Sequence, residues 1–369
     1  MFSACMNTTA LEEAGLKYLT DFLSLYGGWP MTSTDWSEKN FDWQFTVADG
    51  RKTLGSAYLL SVWVFADQKD TDTTALYTDQ TSLGLPRSVL INPSNYEERI
   101  NAYKTYMAET ASIMAKHLGQ SVSSEDIQLD VNAVFDFEML LANITTPDED
   151  RRDIDRMYNP MTVAELSDLT PNTSINWQQL LSNMFAVTGN PIESTTRVIV
   201  QEVEYMKRMA ILIDTTNQRT LANYLMWRHV KALGDETNQE MRDASFKYAM
   251  VANGVTAAEP RWKVCADKTN DFLGIALGTK YVETYFSQQA KDEANEMVED
   301  IRSAFKDLLD VNDWMDEATK PLAMEKANAI SKFIAYPDWY GNATALEHFY
   351  DDLGDVHTDR HFSNVLTLR

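Results

Sequence analysis

Apolar positions recur along most of this chain with the period of an α-helix. Between Ala290 and Leu309 they fall at Ala290, Ala294, Met297, Val298, Ile301, Phe305, Leu308 and Leu309, an i, i+3/i+4 stripe with Asp, Glu, Lys and Arg on the other face. The stripe extends back through Tyr281, Tyr285 and Phe286. After Asp310 to Asp313 a second helix is expected to begin near Asp316 and to end before Pro337, because the residue preceding proline avoids the α region. Earlier helices are predicted at about 9–25, 96–118, 131–143, 162–168, 176–187, 203–213, 218–233 and 236–250. Thr162-Val163-Ala164-Glu165 has the form of a capping box opening the fourth of these, and Asn159-Pro160 before it reads as a turn. Extended pieces fit only 60–66, rich in Val, Trp and Phe, and 197–203. The stretches 144–153 and 251–261 read as loops, too short and too ordinary in composition to mark a domain boundary. No repeat or low-complexity tract is visible.

Composition sharpens this into a mainly α fold class. The 369 residues include only 14 Gly and 10 Pro, which disfavours an all-β sandwich. A net charge of −23 leaves no basic footprint for nucleic acid and disfavours docking on an anionic membrane face. No apolar run approaches the ~18–20 residues that span a bilayer, so no membrane span is expected. The longest candidate, Ala57 to Ala66, reads as a buried core segment. Met1-Phe2-Ser3-Ala4-Cys5 lacks the basic start and apolar core of a signal peptide. The protein is then either cytosolic or has its leader outside this chain.

The search for chemistry returns little by itself. His357 and His361 are four apart, as zinc ligands on one helix face would be, but Thr-Asp-Arg between them supplies no glutamate and no third ligand is evident; a polar, partly solvated segment is the expectation. Asp67 to Asp79 is rich in aspartate, yet Lys69 and Thr71 occupy ligand positions of a calcium loop, and a solvated loop is expected. There is no phosphate-binding glycine loop and no nucleophile elbow. Cys5 and Cys265 could be free thiols or one bridge. The tryptophans Trp29, Trp36, Trp63, Trp177, Trp227, Trp262 and Trp314 read mostly as core. Four N-glycosylation sequons stand at Asn7, Asn143, Asn172 and Asn342, where roughly three would occur by chance. No residue is assigned as catalytic, cofactor-binding or metal-ligating.

A series of motifs carries more. Ser3-Ala4-Cys5-Met6-Asn7 is followed by Tyr26-Gly27-Gly28-Trp29-Pro30, then by Asp67 and Lys69 with Asp79-Gln80 and Leu83-Gly84-Leu85-Pro86. Next come Phe137-Glu138 with Leu141-Ala142, then Arg151-Arg152-Asp153 with Tyr158-Asn159 and Leu166. Thr220-Leu221, Asn223-Tyr224-Leu225 and Trp227-Arg228 follow, and then Trp262 and Cys265. Last are Trp314-Met315-Asp316, Thr319-Lys320, Ala323, Lys326-Ala327 and Tyr336-Pro337-Asp338. In order and spacing, over about residues 3 to 340, they resemble the N-terminal, non-catalytic portion of the neprilysin and endothelin-converting-enzyme family of zinc metallopeptidases.

The resemblance implies a large multi-helix lid over residues 1–280, long linker helices over 281–338, and a segment, 339–369, leading towards a catalytic lobe. It implies a Cys5–Cys265 disulfide, hence an oxidising compartment, and gives the sequons weight as glycan sites, placing the chain outside the cell or in the ectodomain of a plasma-membrane protein. Gly84 and Pro86 are expected to fix a turn, and Asp67 to pair with Lys69. The family's H-E-x-x-H helix, its downstream E-x-x-x-D and its N-A-[FY]-[YS] strand are not in this chain. The expectation is therefore a piece of a longer enzyme, cut at both ends. Zinc would belong to the full-length enzyme and none to this chain, which is expected to be inactive alone. Its partners would be the catalytic lobe of the same protein and, through the whole enzyme, peptide substrates. Two other readings stay open: a shortened, non-catalytic relative that binds peptides or proteins, and a cytosolic helical scaffold with two free thiols.

Overall fold

Three helices, Glu97–His117, Ser124–Ile144 and Gln218–Leu233, pack together at the centre of the chain's apolar core. Trp227 stands among them, edge-on to Tyr103 and Tyr106 at 5.7 and 5.0 Å between ring centroids and stacked on Trp29 at 6.2 Å. A computed structural model describes residues 1–369 as seventeen α-helices and four short strands, a mainly α fold.

Local chemistry sets the element boundaries. The capping box is present: Thr162 Oγ1 accepts from the Glu165 amide at 3.2 Å, and Glu165 Oε2 accepts from the Thr162 amide at 2.8 Å. The helix expected at 131–143 opens at Ser124 because Ser123 Oγ accepts from the Asp126 amide. The helix expected at 9–25 is two pieces, Thr8–Ala14, capped by Asn7, and Lys17–Ser24, since Gly15, at φ +55°, ends the first; Phe2–Met6 before them is a further short helix that was not expected. Trp43–Leu54 is a helix that periodicity misses, capped by Asp42 and interrupted in sequence by Gly50. A Cβ there would lie 3.0 Å from His229 Cε1, so the glycine permits close approach to Gln218–Leu233.

The one sheet has strand order β1-β2-β4-β3, with β1 Ser61–Asp67, β2 Asp70–Asp79, β3 Asn159–Thr162 and β4 Arg197–Val200. β1 and β2 form an antiparallel hairpin with Trp63 opposite Tyr77; β2 runs parallel to β4, and β3 antiparallel to β4. Two expectations fail here. Asp67 to Asp79 is not a solvated loop but half a hairpin. Asn159-Pro160 is not a turn but an edge strand, where proline's missing N–H costs nothing. Ala57 to Ala66 is buried only in part: Tyr58, Leu59, Leu60 and Val62 are buried, whereas Val64 and Phe65 are exposed.

Past Arg261 the construction changes. The predicted stripe divides into Arg261–Tyr285 and Gln288–Val311, separated where Ser287 Oγ caps the second helix. Asp316 Oδ1 accepts from the amides of Ala318 and Thr319 at 2.9 and 2.8 Å, starting Thr319–Ala329 near the expected place. That helix stops well before Pro337, and Arg302 takes up the carbonyl of Ile330 at 2.6 Å. No residue between Ala244 and Phe362 belongs to the main core; Phe362 and Val365, on the helix His361–Leu368, return to it.

Candidate functional site

Most motif residues turn out to be scaffold. Glu138 is fully buried, and Tyr103 donates to its Oε1 at 3.1 Å while Trp227 Nε1 donates to Tyr103 Oη at 2.7 Å. Lys231 donates to the carbonyl of Gly84 at 2.6 Å, and Arg228 to that of Ser82 at 2.7 Å. The Leu-Gly-Leu-Pro, Phe-Glu and Trp-Arg motifs thus converge on one buried polar cluster. Gly84 is there for space, not for turn geometry: its φ is not positive, and a Cβ would lie 2.1 Å from Glu138 Oε1. Burial pushes the Glu138 carboxyl up to about 6, against the pull of Arg228, Lys231 and the Tyr103 hydroxyl.

A second network gathers Asp79-Gln80 and Arg151. Glu202 accepts from Arg151 Nε and Arg156 Nη2, each at 2.9 Å, and from Thr146 Oγ1 at 2.7 Å. Arg151 also reaches Asp79, and Gln80 exchanges two bonds with the backbone of Thr146. Burial pushes Glu202 up, but these donors outweigh it and hold the carboxyl below its usual range. The expected Asp67–Lys69 ion pair does not form. Asp67 accepts from the Lys69 amide at 2.9 Å and from Tyr158 Oη at 2.8 Å and pairs with Arg197, while the Lys69 ammonium pairs with Asp155. Partners 91 and 130 residues away are invisible to local reading.

The histidines do not fit a zinc ion. His357 is exposed and lies outside the helix that His361 opens, so the two share no face. His361 is not solvated: it is buried, with Nε2 2.8 Å from Glu236 Oε2, and Lys268 completes the cluster. Although burial pushes Glu236 up, His361 and Lys268 hold it down to about 2. His229 is boxed among Phe22, Tyr26 and Tyr58, and burial lowers it to about 3. No group of three or more His, Cys, Asp and Glu side chains is placed to hold a metal.

What remains without a structural partner is a surface. On Gln288–Val311, Leu309 is buried and Ala290, Ala294 and Val298 are half-buried, with Thr319–Ala329 packed alongside. Met297, Ile301, Phe305 and Leu308, the rest of the stripe, are 47 to 65% exposed. Tyr281, Tyr285, Leu322 and Phe333 add to the exposed apolar area, as do Trp262 and Trp314, which are exposed rather than core. A ladder of rings from Phe286 through Tyr336, Tyr340, Trp339 and Phe349 to Tyr350 braces this region. Gly278 makes room for it, since a Cβ would lie 1.9 Å from Tyr340 Oη.

Cys5 and Cys265 are joined, tying Phe2–Met6 to Arg261–Tyr285, with Cα atoms 5.6 Å apart. Arg261 seals the joint by donating twice to the Cys5 carbonyl, at 3.0 and 2.8 Å. All four sequon asparagines are exposed. Asn143 Nδ2 is engaged with the Met139 carbonyl inside a helix, whereas Asn7 and Asn342 use only Oδ1, as caps.

The helical body, its one disulfide and the placement of the motif residues in it agree with the mainly α architecture that the motif series implies. The chain belongs to peptidase family M13, whose N-terminal profile matches residues 1–337. It is 35% identical to Neprilysin-1 of Trittame loki over 372 residues, covering 100% of this chain and 51% of that protein. It is 34% identical to human endothelin-converting enzyme 1 over 367 residues, covering 99% and 46%. Among solved structures, the zinc metalloprotease Zmp1 of Mycobacterium tuberculosis, in complex with an inhibitor, superposes with a TM-score of 0.79 at 20% identity, covering 100% of this chain and 51% of that one. PepO of Lactobacillus rhamnosis gives 0.76 at 19% identity, covering 100% and 54%. The chain spans about half the length of these relatives.

Proposed function

We propose that this chain is the lid and linker portion of an extracellular zinc metalloendopeptidase of family M13. Residues 1–280 form the lid, 281–338 the linker helices, and 339–369 the passage towards a catalytic lobe that holds the metal. The observation that carries this reading is the uncovered half of the Gln288–Val311 stripe. Four large apolar side chains at helical spacing, facing solvent while the rest of the stripe is buried or half-buried, are the signature of a missing partner surface. The half-length match to peptidases supports identifying that partner with the catalytic lobe of the same protein. The lid would wall the substrate cavity and restrict it to peptides of modest size, and the disulfide would hold the wall in an oxidising compartment. Bond cleavage would belong to residues outside this chain.

The isolated chain is expected to bind no stoichiometric zinc by elemental analysis and to leave a chelator-sensitive peptide substrate intact. Zinc near one equivalent together with chelator-sensitive turnover would overturn the reading.

A further inference from the structure

We propose that the free edge of β1 is a docking strand for an extended peptide with a basic end, a site in this chain that does not rest on the lid reading. β1 is an outer strand of the sheet, and no backbone hydrogen bond reaches it from any element but β2. The opposite edge, β3, is blunted by Pro160. β1 has no such device from Ser61 to Ala66: Ser-Val-Trp-Val-Phe-Ala contains no charge and no proline, and the bulge comes only at Ala66/Asp67. Natural sheets rarely leave a long, uncharged apolar edge open unless something pairs with it.

The side chains say what would pair. Val64 is 53% and Phe65 65% exposed, and successive residues point to opposite faces, so the outer half of the hairpin offers apolar contact above and below an added strand. Main-chain bonds to the edge would give affinity, and β-branched or aromatic residues beside Val64 and Phe65 would give selectivity. The hairpin tip sets the charge. Asp67 is neutralised by Arg197, and Lys69 and Asp155 neutralise one another, but Asp70 and Asp72 are exposed and have no ion-pair partner. A peptide whose end beside the tip carries lysine or arginine matches them, and the overall charge of −23 attracts it from a distance. A second copy of this chain fits worse. It brings the same −23, and antiparallel self-pairing would send the two acidic tips to opposite ends, leaving both unmatched.

The test is fluorescence anisotropy on the full chain with a labelled synthetic peptide of alternating valine and threonine closed by two lysines. Saturable binding is expected, weakening with salt. Val64→Lys/Phe65→Lys should lower the affinity by about tenfold or more, as lysines on an edge block pairing. Asp70→Lys/Asp72→Lys should transfer the preference to the same peptide closed by two glutamates. All four positions are exposed, so both variants should melt with the parent chain. Absence of saturation, equal affinity in Val64→Lys/Phe65→Lys, or unchanged charge preference in Asp70→Lys/Asp72→Lys would overturn the proposal. So would a dimer in sedimentation velocity that Val64→Lys/Phe65→Lys abolishes, which would make the occupant a second copy.

Discussion

Glu138 and His229 are buried titratable groups that pull stability in opposite directions over overlapping pH ranges. His229 has its folded value lowered from 6.5 to about 3, so between those limits the unfolded chain binds the extra proton and stability rises with pH. Glu138 has its value raised from 4.5 to about 6, so across that window the folded chain binds the extra proton and stability falls as pH rises. From pH 4.5 to 6 the two slopes cancel, each being about 1.4 kcal/mol per pH unit. In urea unfolding over that window we expect stability to fall with pH more steeply in His229→Phe than in the parent chain, and to rise relative to the parent in Glu138→Gln. Parallel profiles in all three would show that neither residue titrates as its burial demands. Gly84→Ala should cost about 1–3 kcal/mol, the overpacking penalty of a Cβ driven against Glu138 and Tyr103, measured by the same unfolding curves. The residue scale is where local reading misleads most. Gly84 looks like a turn glycine and Asp67 looks paired with Lys69, because the partners that decide both, Glu138 and Arg197, lie far along the chain.

At the scale of elements, most helices and two of the four strands were legible: the extended pieces expected at 60–66 and 197–203 are β1 and β4, while β2 and β3 were missed. Glu97–His117, Val203–Thr215 and Gln218–Leu233 lie where periodicity puts them, because each buries one apolar face in the main core. β2 escapes because its first five residues, Asp70 to Thr74, are exposed on the projecting hairpin and carry no alternation. β3 escapes because Asn-Pro is a turn signal that an edge strand also tolerates. The disulfide belongs to this scale as well, since it staples an N-terminal helix of five residues to the first turns of Arg261–Tyr285. Its loop of 260 residues corresponds to about 5 kcal/mol in the chain-entropy account. Cys5→Ser/Cys265→Ser should lose a large part of that in urea unfolding, and reductant should have no further effect on the variant. Equal stability with and without the bridge would mean that Phe2–Met6 is held by packing and Arg261 alone.

For the whole molecule, the sequence announced an amphipathic stripe but could not say what covers it, because periodicity defines an apolar face and not its occupant. The structure shows part of that face buried or half-buried, with Thr319–Ala329 packed alongside the helix, and the rest open. The chain by itself should therefore associate in sedimentation velocity as concentration rises. Met297→Ser/Ile301→Ser/Phe305→Ser/Leu308→Ser should suppress the association without lowering the melting temperature, since these side chains are largely exposed. A monomer at all concentrations would remove the need for a partner surface. The claim that the partner is the rest of a peptidase is tested most directly by the mass of the native gene product, after glycan removal, on an immunoblot raised against this chain. We expect a species far larger than the 42.0 kDa of these residues. A species at 42.0 kDa would contradict the lid-and-linker account and leave a self-standing, non-catalytic member of the family.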